Sequence, residues 1–562
     1  MAAPSTHSAT DSHHLPERAE FWQMFIRLLG PEHRFYKLVV IYSLAISLLT
    51  LAIPISVQAL IDTIANIGIV RAIVVISLIL FGLLMVSGVL YALRAYILEL
   101  FNRRIFIRLA TEMAMSAVTA RDAGMDDRKR LSLFNRFFDI MTLKKNLPLI
   151  LTNGFSLLLQ SLIGFIVVSL YHLYFFLFAL ILIALIWVVW KIWGWRAIQT
   201  GFALSEAKYE TADWLQGLSI SLRDFKDTGN VEYILEEFND VVNHHVDQQE
   251  KHFSFNYRQL LSFLLINALA SSALLGMGGW LVIQGELTLG QLVAAELIML
   301  GIFAGLPMLA GYLEYFYDVC AAVEEISRFR TLPQENVRLE QSRILNVEGA
   351  SIRFDRASFG KLGSEQEVCL DFSLAPREIL RIQCPDARVR SLIKNAMAGN
   401  IHPPRGEVYF GNLATREINA FELRKKIKVF DRASVVPGSI RHYLMFSNPT
   451  ASQHDIREAL ALVELEDDID AMPRGLDTYM SGDGFPLSLE QTLALKLAAM
   501  YLSRPKVMVL KHITDLVQPN IVQNLMQAIQ GYGGAVMYIT QLTEFTCFTR
   551  ELDMSAILVG KP

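Results

Sequence analysis

Charge is scarce in this chain, and so are the residues that staple or metallate a fold. Only 19% of its 562 residues are charged and the formal net charge is −4, against roughly 25% charged in ordinary soluble proteins. Without a basic excess there is no field of the kind that holds nucleic acid, and that class is set aside. The four cysteines, Cys320, Cys369, Cys384 and Cys547, show no CxxC and no pairing spacing. They read as free thiols facing a reducing compartment, with no metal site. Residues 1–20 (MAAPSTHSATDSHHLPERAE) lack the basic-then-apolar layout of a cleaved signal peptide and read as a disordered tail.

Apolar residues, by contrast, make up 53% of the chain. A membrane-spanning helix needs about 20 of them in a row, because backbone polar groups cannot be left unpaired in hydrocarbon. Six stretches qualify: about Leu38 to Ile61, Ala72 to Leu98, Leu149 to Tyr171, Leu173 to Trp195, Leu260 to Ile283 and Leu289 to Leu313. Short loops join them in pairs on one side. The long connections, Phe101 to Pro148 and Arg196 to Arg258, carry Arg103, Arg104, Arg108, Arg128, Lys129, Arg130, Lys144 and Lys145. By the positive-inside rule that face and both termini are cytoplasmic. The connections are periodic, so they read as helical extensions of the spans below the membrane. Phe21 to Gly30 has apolar residues at near-helical spacing, fitting an interfacial helix or a packed surface helix equally.

Within the spans, Glu296 is an ionisable group in hydrocarbon, which marks either a substrate pathway or a structural hydrogen bond. Pro307, between Gly305 and Gly311, is placed with Glu296 on the candidate substrate pathway, where it reads as a kink or as packing. Lys191 reads as snorkelling to the interface. Beyond the spans, a polar linker at 333–345 (PQENVRLEQSRIL) gives way at 346–562 to short apolar runs alternating with helical patterns. That is the pattern of a mixed α/β domain. The chain therefore reads as an all-α six-helix membrane domain, 21–332, followed by a soluble domain.

Six spans with two long cytoplasmic excursions resemble the transmembrane domain of ABC exporters, particularly type I secretion and peptide or lipid exporters. Gly285 to Ala295 (GELTLGQLVAA) is similar to that family's entry into its last span, and Val319 to Leu332 to its exit. Tyr209 to Phe225 resembles the second intracellular coupling helix, and Arg130 to Asn146 the region after the first. In the soluble domain, Phe372 to Cys384 resembles the strands before the phosphate loop. Ala398-Gly399 with Pro404, Arg405, Gly406 and Glu407, then Val436 to Ile440, Leu487 to Gln491 (LSLEQ) and Arg504 to Val507 come in the family's order.

The positions that this resemblance assigns to ATP have changed character. A phosphate loop uses glycines so that backbone N–H groups curl around phosphates. Here the run is Cys384-Pro385-Asp386-Ala387-Arg388-Val389-Arg390-Ser391, without glycine. Val389 is expected to resist the positive φ that a glycine tolerates, and Asp386 sets a negative charge where phosphates approach. Arg390 stands at the lysine position and Ser391 at the magnesium-ligand position. After the apolar strand Val507 to Leu510, Lys511 and His512 replace the acidic pair that holds Mg²⁺ and polarises water. The Q-loop glutamine becomes Asp431, the switch histidine becomes Gln541, and no aromatic ring is assigned near Phe359 to Lys361 to stack on adenine. In LSLEQ, Ser488 and Gln491 are kept while Leu489 and Glu490 replace glycines.

The resemblance implies that each nucleotide lies between one subunit's phosphate loop and its partner's signature. A partner's nucleotide would then meet Glu490, and two like unit charges about 4 Å apart repel by roughly 4 kcal/mol at an effective dielectric of 20. The expectation is a bacterial inner-membrane exporter-type protein without competent ATP hydrolysis and with no cofactor. It would act as a homodimer, or as a heterodimer with another ABC half, on a peptide, lipid-like or hydrophobic substrate. A periplasmic adaptor is implied by resemblance alone. The alternatives are a non-transporting scaffold or regulator, and an active but unusual ATPase using Arg390, Ser391 and Lys511, with Lys511 pairing to a phosphate so that nucleotide binds without metal.

Overall fold

The structure is a computed structural model that describes residues 18–66, 70–121, 133–335, 351–360, 368–542 and 545–554. Residues 1–17 of the tail expected for 1–20, most of the linker at 333–345, and Lys361 lie outside the described residues. The chain divides into two compact units, Met1–Val118 with Met125–Leu332, and Thr119–Gly124 with Pro333–Pro562.

The first unit is helical: α1 (Arg18–Leu29), α2 (His33–Thr50), α3 (Ala52–Asn66), α4 (Val70–Thr119), α5 (Phe137–Leu149), α6 (Phe155–Ser169), α7 (Leu173–Ile220), α8 (Leu222–Thr228), α9 (Val231–Ile283) and α10 (Leu289–Thr331). Among the described residues six helical stretches are long and apolar enough to cross a membrane. The second of them, Val70–Thr119, has none of its most apolar window buried in the chain. Leu78, Ile79, Phe81 and Val86 are exposed along it, a surface that suits lipid and not water. The helix α1 starts at Arg18, inside the stretch expected to be tail. It buries Phe21 and Leu28 against the cluster that holds Leu98, Phe101 and Tyr317, so the packed alternative describes it.

Two proline effects shape the spans. Pro54 has no N–H for the Thr50 carbonyl, and the first span breaks into α2 and α3 at Leu51. After Pro148 the third span loosens into a π-turn, Ile150–Gly154, before α6 resumes. Pro307, in contrast, lies inside a continuous α10. Away from the apolar windows, the helices are tied by buried charge. Arg136 donates to Glu325 at 2.5 Å, Arg328 reaches Glu324 at 3.0 Å, and Asp139 accepts from Lys208 at 2.9 Å and Tyr209 at 2.5 Å.

The second unit contains a five-stranded parallel sheet. Its strands are β3 (Ile379–Gln383), β6 (Ile427–Phe430), β9 (Val507–Lys511), β10 (Ala535–Ile539) and β11 (Arg550–Asp553), in the order β11-β3-β10-β9-β6. An antiparallel sheet joins β1 (Ile352–Phe359), β2 (Val368–Leu374), β4 (Arg405–Phe410) and β5 (Leu413–Ala414), and β7 (Gly438–Ser439) pairs β8 (Tyr479–Met480). The runs VMVL of β9 and AVMYI of β10 are wholly buried, as strands covered on both faces must be. The helices that matter for the site are α11 (Ala387–Met397) and α12 (Leu489–Leu502). Ala120 bridges Gln334 within this unit, with Glu335 N–H donating to the Thr119 carbonyl at 2.7 Å.

Gly406 opens β4 at a φ of 73°, and a Cβ there would lie 2.0 Å from the Arg356 carbonyl oxygen, across the irregularity between β1 and β4. Backbone cannot yield as a flexible side chain can. Gly406→Ala is therefore expected to destabilise the soluble unit by about 3 kcal/mol or more. Thermal unfolding would read this as a lowered midpoint, while Gly531→Ala, with open space around it, leaves the midpoint within about 2 °C.

Candidate functional site

The turn between β3 and α11 is only three residues, Cys384 to Asp386, because the helix already begins at Ala387. Val389 is 1% exposed in the core, inside a right-handed helix, and it is not among the positive-φ residues. The conformational objection expected from the sequence at Val389 therefore does not arise. What closes the turn is hydrogen bonding. Asp386 caps α11, accepting the Arg388 N–H at 2.7 Å and the Arg388 guanidinium at 2.9 Å. That pairing holds the Asp386 carboxyl below the usual carboxylate range. A helix start draws anions, and here the chain supplies its own. Arg390 turns back to donate to the Cys384 and Pro385 carbonyls at 2.8 and 2.7 Å, and the exposed Ser391 accepts from Asn395 at 3.4 Å. Burial pushes the Cys384 thiol up.

Asp431, just past β6, pairs with Lys394 of α11 at 2.6 Å. Lys511 closes β9, half-buried, and its ammonium makes no hydrogen bond or ion pair among the described residues. Burial pushes its pKa below the lysine range; Asp431 opposes the shift while Lys394, Arg390 and Arg432 add to it. Three cations therefore oppose the charge on Lys511 and one carboxylate favours it. His512 is exposed at the start of a short 3-10 helix. The exposed Gln541 contributes its carbonyl to the buried Arg381 at 3.1 Å. Phe359 is 4% exposed in the core. Asp515, which no sequence motif singles out, accepts from Tyr538 at 2.6 Å and Thr540 at 2.9 Å.

The LSLEQ segment starts α12 with a capping box. Ser488 Oγ accepts the Gln491 N–H at 3.1 Å and Gln491 Oε1 accepts the Ser488 N–H at 3.0 Å. Leu489 and Glu490 are exposed beside it. Glu490 sits where a helix start favours negative charge, so it has a local reason to be there.

In the membrane unit, Glu296 is half-buried with its Oε1 lacking a partner among the described residues. Neither it nor Pro307 lines the larger cleft, of about 580 Å³, which Arg94 enters instead. Sequence reasoning misses Arg94, although a lone arginine in the apolar run from Ala72 to Leu98 is the available signal.

No protein-family model matches the chain. It is 26% identical over 326 residues to the multidrug resistance-like ATP-binding protein MdlA of Buchnera aphidicola subsp. Schizaphis graminum, covering 55% of this chain and 54% of that one. To the lactococcin-A transport/processing ATP-binding protein LcnC of Lactococcus lactis it is 22% identical over 547 residues, covering 92% and 73%. The match spans about half the length of MdlA and, at 47%, of the uncharacterized ABC transporter ATP-binding protein YwjA of Bacillus subtilis. A solved bacterial Atm1-family ABC exporter with ATP bound superposes with a TM-score of 0.77 over 90% of this chain and 91% of that one, at 17% identity. The fold is that of an ABC exporter.

In this exporter fold, α11, β6 and β9 bring Arg390, Lys394, Asp431 and Lys511 into one electrostatic neighbourhood. Ser488 and Gln491 bond to each other, and among the described residues neither they nor Leu489 and Glu490 bond to that group. The crowding has a pH signature. Because the folded pKa of Lys511 is lowered, the unfolded chain holds more protons between that value and about 10.4, and stability rises with pH across the window. Lys511→Met removes the strain. After allowance for the lysine's partial exposure, its thermal midpoint at pH 7 is expected about 2 °C above the wild type, the gap narrowing by pH 10. A lower midpoint, or a gap that widens with pH, would contradict the assignment.

Proposed function

We propose that this chain is an exporter-type transport protein of a bacterial inner membrane, working as a dimer, whose nucleotide-binding-type domain does not turn over Mg²⁺-ATP. The observation that carries the reading is the replacement of metal-holding acid by the unpaired Lys511, with Arg390 committed to the carbonyls of its own turn. A cation repels a second cation, and a helix start already capped by Asp386 offers its first N–H groups to a carboxylate within the chain. The residues present do not fit a magnesium-bound triphosphate, and no cofactor is assigned.

Transport is supported by the fold, by the apolar lipid-suited surface of α4 and by the names of MdlA and LcnC, which speak of multidrug resistance and of lactococcin-A transport. The substrate class that fits is a peptide, lipid-like or hydrophobic molecule. With Glu490 at the signature position, a partner that supplied an intact site would still meet a negative charge, which favours a homodimer over pairing with a catalytic ABC half. The periplasmic adaptor rests on the secretion-system resemblance. One observation favours the scaffold reading beside this: the strands and helices around the altered site remain fully packed, as a docking surface requires.

Purified protein in lipid nanodiscs is expected to hydrolyse Mg²⁺-ATP no faster than empty discs. Turnover that depends on Mg²⁺ and is abolished by Arg390→Ala would overturn the reading.

A further inference from the structure

We propose that the cleft around Arg94 binds the oxyanion group of a membrane-soluble amphiphile, a carboxylate or phosphate carried on an apolar body. The inference deepens the transport reading, and rests on it only for the idea that the occupant is cargo.

Arg94 lies on α4 within a membrane span, yet it is 3% exposed and so does not snorkel to water. A guanidinium carries five N–H donors and is always charged. Here Nη1 donates to Ser43 at 3.0 Å and Ser156 at 2.5 Å, and Cζ lies over the Tyr91 ring, 5.1 Å from its centroid. Its Nε is buried with no hydrogen-bond partner among the described residues. No carboxylate pairs with it among them, and none lines the cleft. Two serine hydroxyls do not neutralise a buried charge, whereas an oxyanion offers the fork-shaped guanidinium a matched acceptor.

The cleft is built to present more than one polar group. The π-turn Ile150–Gly154 interrupts the third span where Thr152 and Asn153 line the cleft. Such turns recur at functional sites. Ser87 and Gln160 add further polar atoms, and Ile46, Leu84 and Leu157 form an apolar wall. The volume of about 580 Å³ suits a small amphiphile.

The full chain in phosphatidylcholine nanodiscs is titrated with N-dodecanoylglycine and, separately, with its methyl ester, the signal of empty discs being subtracted. The acid is expected to bind about tenfold tighter than the ester or better. Arg94→Gln should bring the ratio close to one, and Arg94→Lys should keep a several-fold preference. A merely structural arginine would lower the unfolding midpoint of Arg94→Gln and leave the acid-to-ester ratio intact. Repeating the titration in phosphatidylglycerol discs separates the sources. Competition assigns the site to a bilayer headgroup, and an unchanged affinity assigns it to a carried molecule; both support the site. Equal affinity for acid and ester in the wild type, binding of neither, or a preference that survives Arg94→Gln would overturn it. Mg²⁺-dependent ATP turnover alongside an intact acid preference would sink the non-hydrolysing reading alone and leave the cleft standing.

Discussion

Positive charges brought close together repel, and at the end of the parallel sheet this chain has already gathered several around the half-buried Lys511. Lys511 closes β9 in the field of Lys394, Arg390 and Arg432, and Asp431, the carboxylate that favours its charge, is already paired to Lys394. A divalent cation entering that group would meet charge of its own sign. The helix start nearby has been turned inward in the same sense, since Asp386 takes the N–H of Arg388 and Arg390 takes the carbonyls of the turn. The Arg388 N–H and the Arg390 guanidinium, donors at this turn that a triphosphate would use, have partners within the chain.

The fold does not depend on that chemistry. The core strands β3, β9 and β10 are buried by their apolar side chains, and burial of each Val, Leu or Ile stabilises by about 1.5 to 3 kcal/mol whichever residue closes the strand. The capping box of α12 likewise needs only Ser488 and Gln491, the two signature residues retained. Site residues and scaffold residues can therefore diverge separately, and an exporter scaffold carries a turn that caps itself. The membrane unit shows the complementary case. Arg136 pairs with Glu325 and Lys208 with Asp139 where helices meet, while Arg94 keeps an unmatched charge facing a cleft.

The spans are legible in the sequence because the bilayer fixes their length, and the sheet because its strands are short apolar runs between turn residues. The coarse chemistry of the altered positions is legible too, since Lys511 and Asp386 declare their sign. Local geometry is not. The family pattern sets Val389 against a glycine's positive φ, but the turn shortens so that this residue simply enters a helix and the core. The break at Leu51 and the π-turn at Ile150 depend on how Pro54 and Pro148 resolve their missing donors against neighbouring helices, which a single sequence does not specify. Arg94 escapes notice because it sits near the end of its apolar run, where an arginine ordinarily reaches water. Only the packing of Ser43 and Ser156 around it reveals that it does not.

The most direct test is a titration of Mn²⁺, a magnesium surrogate visible by electron paramagnetic resonance, into the full chain in nanodiscs with a non-hydrolysable ATP analogue. The account predicts a spectrum of free and analogue-bound ion, with none held by the protein. One protein-bound Mn²⁺ per chain that requires the analogue would contradict it.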